Sequence, residues 1–177
     1  LKSIQRTIAD LFNLIYVPSI SVNGFVHKRS IVENAKSHVG KNYVFNIDLM
    51  DFFPSIDMRR VKACLKLPPF NLDDKTAFLI ANICCENLEV TRTIDGDDQQ
   101  VERLVLPQGA PTSPIITNIV SQRLDRRLYG LGKKFGGKYS RYADDITFSS
   151  DHNIYQLNSE FRVELKRIIE LENFKIN

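Results

Sequence analysis

The chain has few cysteines, little net charge and no long apolar run, and each shortage narrows what it can be. Its three cysteines, Cys64, Cys84 and Cys85, are too few and too irregularly spaced for a disulfide framework. The adjacent pair lies in the apolar run from Phe78 to Cys85 and reads as reduced core thiols of a cytoplasmic protein. No stretch is long and apolar enough to span a membrane, and none reads as a signal peptide, so no membrane partner is expected. Formal net charge is only +3, from 24 basic and 21 acidic residues, so any affinity for nucleic acid must rest on where the charges lie. There is no internal repeat and no low-complexity tract. The chain starts at Leu1 inside an apparent helix and stops at Asn177 without a closing element, and it reads as a piece of a longer protein.

What is present is ordinary for a globular protein: 177 residues, 43% hydrophobic and 25% charged, enough for one domain, or one with part of a second, around a real core. Ile4, Ile8, Leu11 and Ile15 recur at helical spacing and predict an amphipathic first helix. Ser30 and Glu33 have capping-box spacing for a short helix to about Val39, which Gly40 can end. Tyr43 to Leu49 reads as a buried strand. Helices follow from Asp57 through Leu65 and from Leu72 to Cys85. Leu88 to Ile94 and Gln100 to Leu106 form a hairpin around Asp95-Gly96-Asp97-Asp98. Ser113-Pro114 opens a helix to about Leu128, with the glycines at 130, 132, 136 and 137 as a flexible connection. Two short strands, Tyr139 to Tyr142 and Ile146 to Phe148, flank Ala143-Asp144-Asp145. Ile154, Leu157, Phe161, Leu165 and Ile168 mark one face of a long helix, and Phe174 to Asn177 starts a further strand. The pattern is α+β, with a small antiparallel sheet covered by helices on one face.

Three carboxylates stand out by context. Asp48 ends the apolar strand, and Asp144 and Asp145 sit at the connection between two short strands. An Asp-Asp pair in a turn is by itself usually a solvated turn. Brought together on rigid elements, the three would repel one another unless a cation sat among their oxygens. Mg²⁺ favours such carboxylates together with phosphate and water. A pair of ions roughly 3.5–4 Å apart would serve both the attacking and the leaving oxygen of a nucleotidyl transfer. Between the acidic segments lies Leu106-Pro107-Gln108-Gly109-Ala110-Pro111-Thr112-Ser113-Pro114, a stiff path into a helix start whose backbone N–H groups could face phosphate or a base pair.

Three segments together resemble the reverse transcriptase family. Asn46-Ile47-Asp48-Leu49-Met50-Asp51-Phe52-Phe53-Pro54-Ser55-Ile56 resembles its first catalytic motif, Leu106–Pro114 its Pro-Gln-Gly motif, and Arg141-Tyr142-Ala143-Asp144-Asp145 its aromatic-x-Asp-Asp motif. They occur in family order, and the likeness runs from about Gly24 to the C-terminus. Phe-Phe-Pro-Ser-Ile and Tyr-Ala-Asp-Asp are similar to the bacterial retron and group II intron enzymes. Asn34-Ala35-Lys36-Ser37-His38 resembles the Asn-Ala-x-x-His element of the retron type.

The resemblance implies a palm with part of the fingers and no thumb. Residues 1–42 would be partial fingers and N-terminal helices, and residues 43–177 a palm with a fingers-like insertion around 67–114. Asp48, Asp144 and Asp145 would be the catalytic, metal-binding triad, with the Leu49 carbonyl as a further ligand. Asp51 and Phe52 would offer backbone N–H groups to the triphosphate. Phe53 would crowd a ribose 2′-hydroxyl, although one of the two phenylalanines belongs to the core. Gln108 and Gly109 would contact the incoming nucleotide, and Tyr142 would pack at the primer end.

Seven basic residues, Arg123, Arg126, Arg127, Lys133, Lys134, Lys138 and Arg141, fall in one stretch with the single acid Asp125. They read equally as a phosphate-binding surface or a solvated helix face. Arg123, Arg127, Lys133 and Lys134, with Asn34 and His38, are the candidate nucleic-acid contacts. His27, Lys28 and Arg29 are candidates for touching template. The cofactor implied is Mg²⁺, as two ions, with Mn²⁺ as a substitute. The partners implied are an RNA template (a structured non-coding RNA for a retron enzyme), a DNA or RNA primer and dNTPs. The 177-residue piece alone is expected to be inactive. The rival readings are a group II intron or defence-associated enzyme, an RNA-dependent RNA polymerase, and a catalytically silent RNA-binding module.

Overall fold

Most of the expected elements form, and identifiable residues set their ends. A computed structural model describes residues 1–94 and 96–177; Asp95, expected in the hairpin turn, lies outside the described residues. In chain order the elements are α1 (Lys2–Ile15), α2 (Ile31–Lys36), β1 (Tyr43–Asp48), α3 (Met58–Leu65), α4 (Asp74–Cys84), β2 (Glu86–Ile94), β3 (Asp97–Val105), α5 (Ser113–Lys134), β4 (Lys138–Tyr142), β5 (Asp145–Ser150) and α6 (Glu160–Leu171). They divide into two compact units, Leu1–Val17 with Phe53–Val120, and Pro18–Phe52 with Ser121–Asn177. The fold is α+β, as the order of elements predicts.

In the first unit, α1 buries a different stripe from the one expected. Ile4, Leu11 and Ile15 are exposed, whereas Gln5, Ala9, Phe12 and Tyr16 are buried. The aromatic stripe wins because it meets specific partners. Phe12 packs on Phe70 at 4.8 Å, the Tyr16 hydroxyl donates to the Asn118 carbonyl at 2.9 Å, and the Gln5 amide donates to the Ile83 carbonyl at 2.9 Å. Asp73 caps α4 by accepting from the backbone of Lys75 and Thr76. Burial pushes the Cys84 thiol up to about 11 and the Cys85 thiol to about 12, so both stay protonated, as expected of core thiols. The β2–β3 hairpin pairs from Glu86↔Val105 to Ile94↔Asp97, so Asp97 and Asp98, expected in the turn, belong to β3.

In the second unit, the sheet order is β1-β5-β4, all antiparallel. Register sorts its side chains into two faces, because alternate residues point oppositely. Phe45, Ile47, Tyr139, Arg141, Ile146 and Phe148 share the face toward α5 and α6. There Phe161 of α6 stands edge-on to Phe148 at 5.0 Å and to Tyr155 at 5.1 Å. Val44, Asn46, Asp48, Ser140, Tyr142, Asp145 and Thr147 share the opposite face. The expectation of a fully buried first strand is therefore corrected: β1 is an edge strand with one covered face, and Tyr43, Val44 and Asn46 are exposed.

Two helix ends also differ from expectation. Helix α5 continues to Lys134, through Gly130 and Gly132. At Gly132 a Cβ would meet the Gly137 carbonyl at 3.3 Å and Tyr139 Cβ at 3.4 Å, so glycine there permits close helix–sheet approach. The helix stops at Gly136, which adopts a left-handed φ of 69°. Helix α6 starts only at Glu160, capped by Ser159. Asn158, with φ 62°, interrupts the periodic run, leaving Leu157 exposed. At the C-terminus, Leu49 and Ile176 form an antiparallel bridge, and Met50 N–H donates to the Lys175 carbonyl at 2.9 Å.

Helix α2 is latched to the sheet by His38. Its Nδ1 lies 2.6 Å from the Ser149 hydroxyl and its Nε2 2.7 Å from the Ser140 hydroxyl. Burial, with help from the Lys138 ammonium, holds the imidazole below its ordinary value of 6.5. A group whose folded value is depressed takes up its proton more readily unfolded. The latch therefore contributes full stability above about 6.5 and loses it as pH falls. The urea midpoint is expected to drop between pH ~7.5 and pH ~5.5 in the wild type, and to drop less in His38→Gln.

Candidate active site

The connection between β4 and β5 is a two-residue turn, Ala143-Asp144, closed by the pair Tyr142↔Asp145. Ala143 takes φ 58°, a left-handed conformation that costs a residue with a Cβ roughly 1–2 kcal/mol. Arg141 holds it. The Arg141 Nη1 donates to the Ala143 carbonyl at 2.7 Å. Its Nε and Nη2 donate to the two carboxylate oxygens of Asp125 on α5, at 2.7 and 2.8 Å. The Tyr139 hydroxyl donates to the same carboxylate at 2.6 Å, and burial holds the phenol well above its usual range. Arg141 is 0% exposed and Asp125 2%. Neither charge could be buried alone, but paired, and with every guanidinium nitrogen hydrogen-bonded, they form a rigid post beneath the turn.

On the opposite face of the sheet the carboxylates gather. Asp48 of β1 lies directly across from Asp145 of β5, so their side chains share one side. Leu49 N–H donates to the Asp144 carbonyl at 3.2 Å, which ties the turn to the end of β1. Asn177 Nδ2 donates to Asp48 Oδ2 at 3.3 Å. Partial burial, then the charges of Asp144 and Asp48, push the Asp145 carboxyl above its ordinary value. A groove of about 430 Å³ opens beside Asp145, lined by Val44, Asn46, Tyr142, Thr147 and His38 among others. Among the described residues no three His, Cys, Asp or Glu side chains already converge as a ligand set. The donors nonetheless suit a hard divalent cation: they are carboxylate oxygens, and their mutual repulsion would be relieved by positive charge.

The remaining predicted residues are distributed as follows. Phe52 is the core member of its pair, buried against Phe174 at 5.6 Å, while Phe53 is half-buried. Asp51 is exposed, with φ 47°. Gln108 and Gly109 are exposed at the tip of a loop anchored by Leu106 N–H on the Ile56 carbonyl and by the Ser113 hydroxyl on the Pro107 carbonyl. The structure thus brings Asp48, Asp144, Asp145 and Tyr142 together within the second unit. Phe53, Gln108 and Gly109 belong to the first.

Several expected nucleic-acid contacts are committed elsewhere. Asn34 and His38 are buried; Asn34 Oδ1 accepts from Asn23 Nδ2 at 2.9 Å, and His38 forms the latch. Arg29 donates to the carbonyls of Ser19 and Val22. Arg123 and Arg127 converge on the buried Glu172 carboxylate at 2.9 and 3.2 Å. Lys134 pairs with Glu160 at 2.7 Å, and Lys133 rests over the Tyr129 ring at 5.0 Å. Arg141, counted in the basic stretch, has no exposed surface at all. The post of Arg141, Asp125 and Tyr139 was missed from sequence; its signal was the single acid in that stretch.

With this geometry in place, comparison with known proteins decides the family. Residues 1–177 match the family "Reverse transcriptase (RNA-dependent DNA polymerase)". The chain belongs to the reverse transcriptase family. It is 37% identical over 179 residues to the retron Mx65 reverse transcriptase of Myxococcus xanthus, covering 100% of this chain and 41% of that protein. It is 44% identical over 131 residues to the retron Mx162 reverse transcriptase of the same organism, covering 73% of this chain and 27% of that protein. It is 37% identical over 128 residues to the retron Ec86 reverse transcriptase of Escherichia coli, covering 72% and 34%. The chain therefore spans less than half the length of these relatives. The resemblance to bacterial, retron-type reverse transcriptases is borne out. Reverse transcriptases as a family use divalent metal ions, and no helix among the described residues is long and apolar enough to cross a membrane.

Asp125→Asn would leave the Arg141 charge buried without its counter-charge. It is expected to destabilise the protein by about 3–5 kcal/mol in urea unfolding, and Asp125→Leu combined with Arg141→Met is expected to cost less.

Proposed function

We propose that the chain is the catalytic core of a retron-type RNA-directed DNA polymerase. One observation carries this reading: Asp48 and Asp145 stand opposite each other on one sheet face, with Asp144 tied to Leu49, in a chain matched from end to end by the reverse transcriptase family. Asp48 and Asp144, with Asp145 and the Leu49 carbonyl, would hold two Mg²⁺ ions, for which Mn²⁺ can substitute. When bound, the ions make the primer 3′-hydroxyl a better nucleophile and neutralise charge on the departing pyrophosphate.

The chain's own residues then position the reactants. Tyr142 packs against the primer end from the groove beside Asp145. Asp51 and Phe52 offer backbone N–H groups to the triphosphate. Gln108 and Gly109 contact the incoming nucleotide or its templating pair. Phe53 crowds a ribose 2′-hydroxyl and so selects dNTPs; this role rests on its place after Asp48 in the motif. Residues 1–42 act as partial fingers, and residues 43–177 as palm with a fingers-like insertion around 67–114. The template is RNA, copied by extension of a DNA or RNA primer in the cytoplasm. The retron names of the relatives support a structured non-coding RNA as template. Of the four basic residues proposed for RNA contact, Lys133 is the one whose ammonium has no carboxylate partner among the described residues.

In the intact protein, Asp144→Asn is expected to slow primer extension on RNA by about a thousandfold or more, with RNA affinity preserved. The same variant should lose the rise in Tm that Mg²⁺ or Mn²⁺ gives the wild type. Synthesis at the wild-type rate would remove the metal reading. Phe53→Ala should raise incorporation of NTPs relative to dNTPs. A wild type that prefers NTPs would instead mark an RNA-dependent RNA polymerase.

A further inference from the structure

We infer that Gly24 is a positioning residue for the catalytic turn: the backbone of Ala143 rests directly on its Cα, where no other residue fits. A Cβ built at Gly24 would lie 2.2 Å from the Ala143 nitrogen, 2.9 Å from the Tyr142 carbonyl carbon and 3.1 Å from the Ala143 Cα. All three are backbone atoms, so no side chain can swing aside to make room. The φ of Gly24 is not left-handed. What glycine supplies here is close approach rather than conformational freedom.

The segment carrying Gly24 has little room to retreat. Arg141 N–H donates to the Ser21 carbonyl and Asn23 N–H to the Arg141 carbonyl, both at 2.8 Å, so residues 21–23 run as a short parallel extension beside β4. Asn23 is held from α2 by Asn34 at 2.9 Å. Arg29 clamps the same stretch from below, Nη1 donating to the Ser19 and Val22 carbonyls at 2.5 Å each. A methyl at position 24 must therefore displace the turn. The turn cannot move without disturbing the Asp144 carbonyl on Leu49 N–H and the register that sets Asp145 opposite Asp48. Asn34 and Arg29, expected from sequence to touch nucleic acid, act here through the ledge they hold.

This inference rests on the polymerase reading for its consequence, but not for its geometry. The experiment uses the intact protein on an RNA template–primer, comparing wild type, Gly24→Ala, Arg29→Ala and Asp144→Asn. Gly24→Ala is expected to lower kcat about 10- to 100-fold, because misplacing reacting groups by about 1 Å costs that much. The KM for dNTP and the Kd for template–primer should stay within about threefold, a split that general destabilisation would not give. Arg29→Ala, which loosens the ledge without a clash, should lower kcat about threefold or more. The amide resonances of Ala143, Asp144 and Asp145 should move in Gly24→Ala. Unmoved resonances, a wild-type kcat in Gly24→Ala, or a parallel loss of template–primer affinity would overturn the positioning role. If Gly24→Ala does not fold, Arg29→Ala decides by the same readings. A wild type that makes no DNA would sink the polymerase reading alone, and the resonances would still judge the ledge.

Discussion

A guanidinium buried without water must find anions or carbonyls for its donors, and that constraint organises the second unit. Arg141 meets it with both oxygens of Asp125 and the carbonyl of Ala143. The planar fork of arginine fixes these acceptors relative to one another, as a lysine ammonium could not. One side chain thus joins a helix, a strand and the turn that follows it. The left-handed Ala143 persists because its carbonyl is already spoken for. The Tyr139 hydroxyl adds a third donor to the carboxylate, so both its oxygens and every guanidinium nitrogen are bonded and the network is stiff.

The sheet divides its labour by face. Toward α5 and α6 it presents Phe148, Ile146 and the Arg141 post, all with essentially no exposed surface. Toward the groove it presents Asp48, Asp145, Tyr142 and Asn46. A cluster of like charges is tolerable on one face because the same strands are secured on the other. Strand alternation makes this possible within a few residues: Arg141, which holds the turn, and Tyr142, which lines the groove, are neighbours in sequence yet point oppositely. The His38 latch adds a second tie on the groove side, through Ser140 and Ser149.

What could be read from sequence was what is local. The strand ending in Asp48, the turn at Asp144-Asp145, the loop at Gln108-Gly109 and the Ser30 cap all declare themselves within a few residues. What escaped was long-range pairing. Asp125 and Arg141 are 16 residues apart, and Arg123 and Glu172 are 49 apart, so neither link leaves a periodic trace. The apolar spacing of Ile4, Leu11 and Ile15 was real, but partners on other elements, Phe70 and the carbonyls of Ile83 and Asn118, selected the neighbouring stripe. Asn34 and His38 look equally polar whether they face solvent or the sheet. Only the positions of Asn23, Ser140 and Ser149 show which.

The same long-range pairing changes the character of the basic stretch. Counted along the chain, its seven cations read equally as a phosphate-binding surface or a solvated helix face. In the structure, Asp125 neutralises Arg141 inside the protein, and Glu172 holds Arg123 and Arg127. That leaves Arg126, Lys133 and Lys138 without a carboxylate partner among the described residues. Lys134 can join them, because its pair with Glu160 is exposed on both sides and such pairs are weak. Each neutralised phosphate contributes about 0.9 to the salt slope of duplex binding, so in a contact with duplex this stretch would supply a slope of about 3 or 4 rather than 6 or more. Releasing the arginines would not restore the difference. It would strand Glu172, 4% exposed, as an unpaired buried charge. In this segment three of the four arginines are held by acids of the fold, and the cations left available to an anionic partner are mainly lysines.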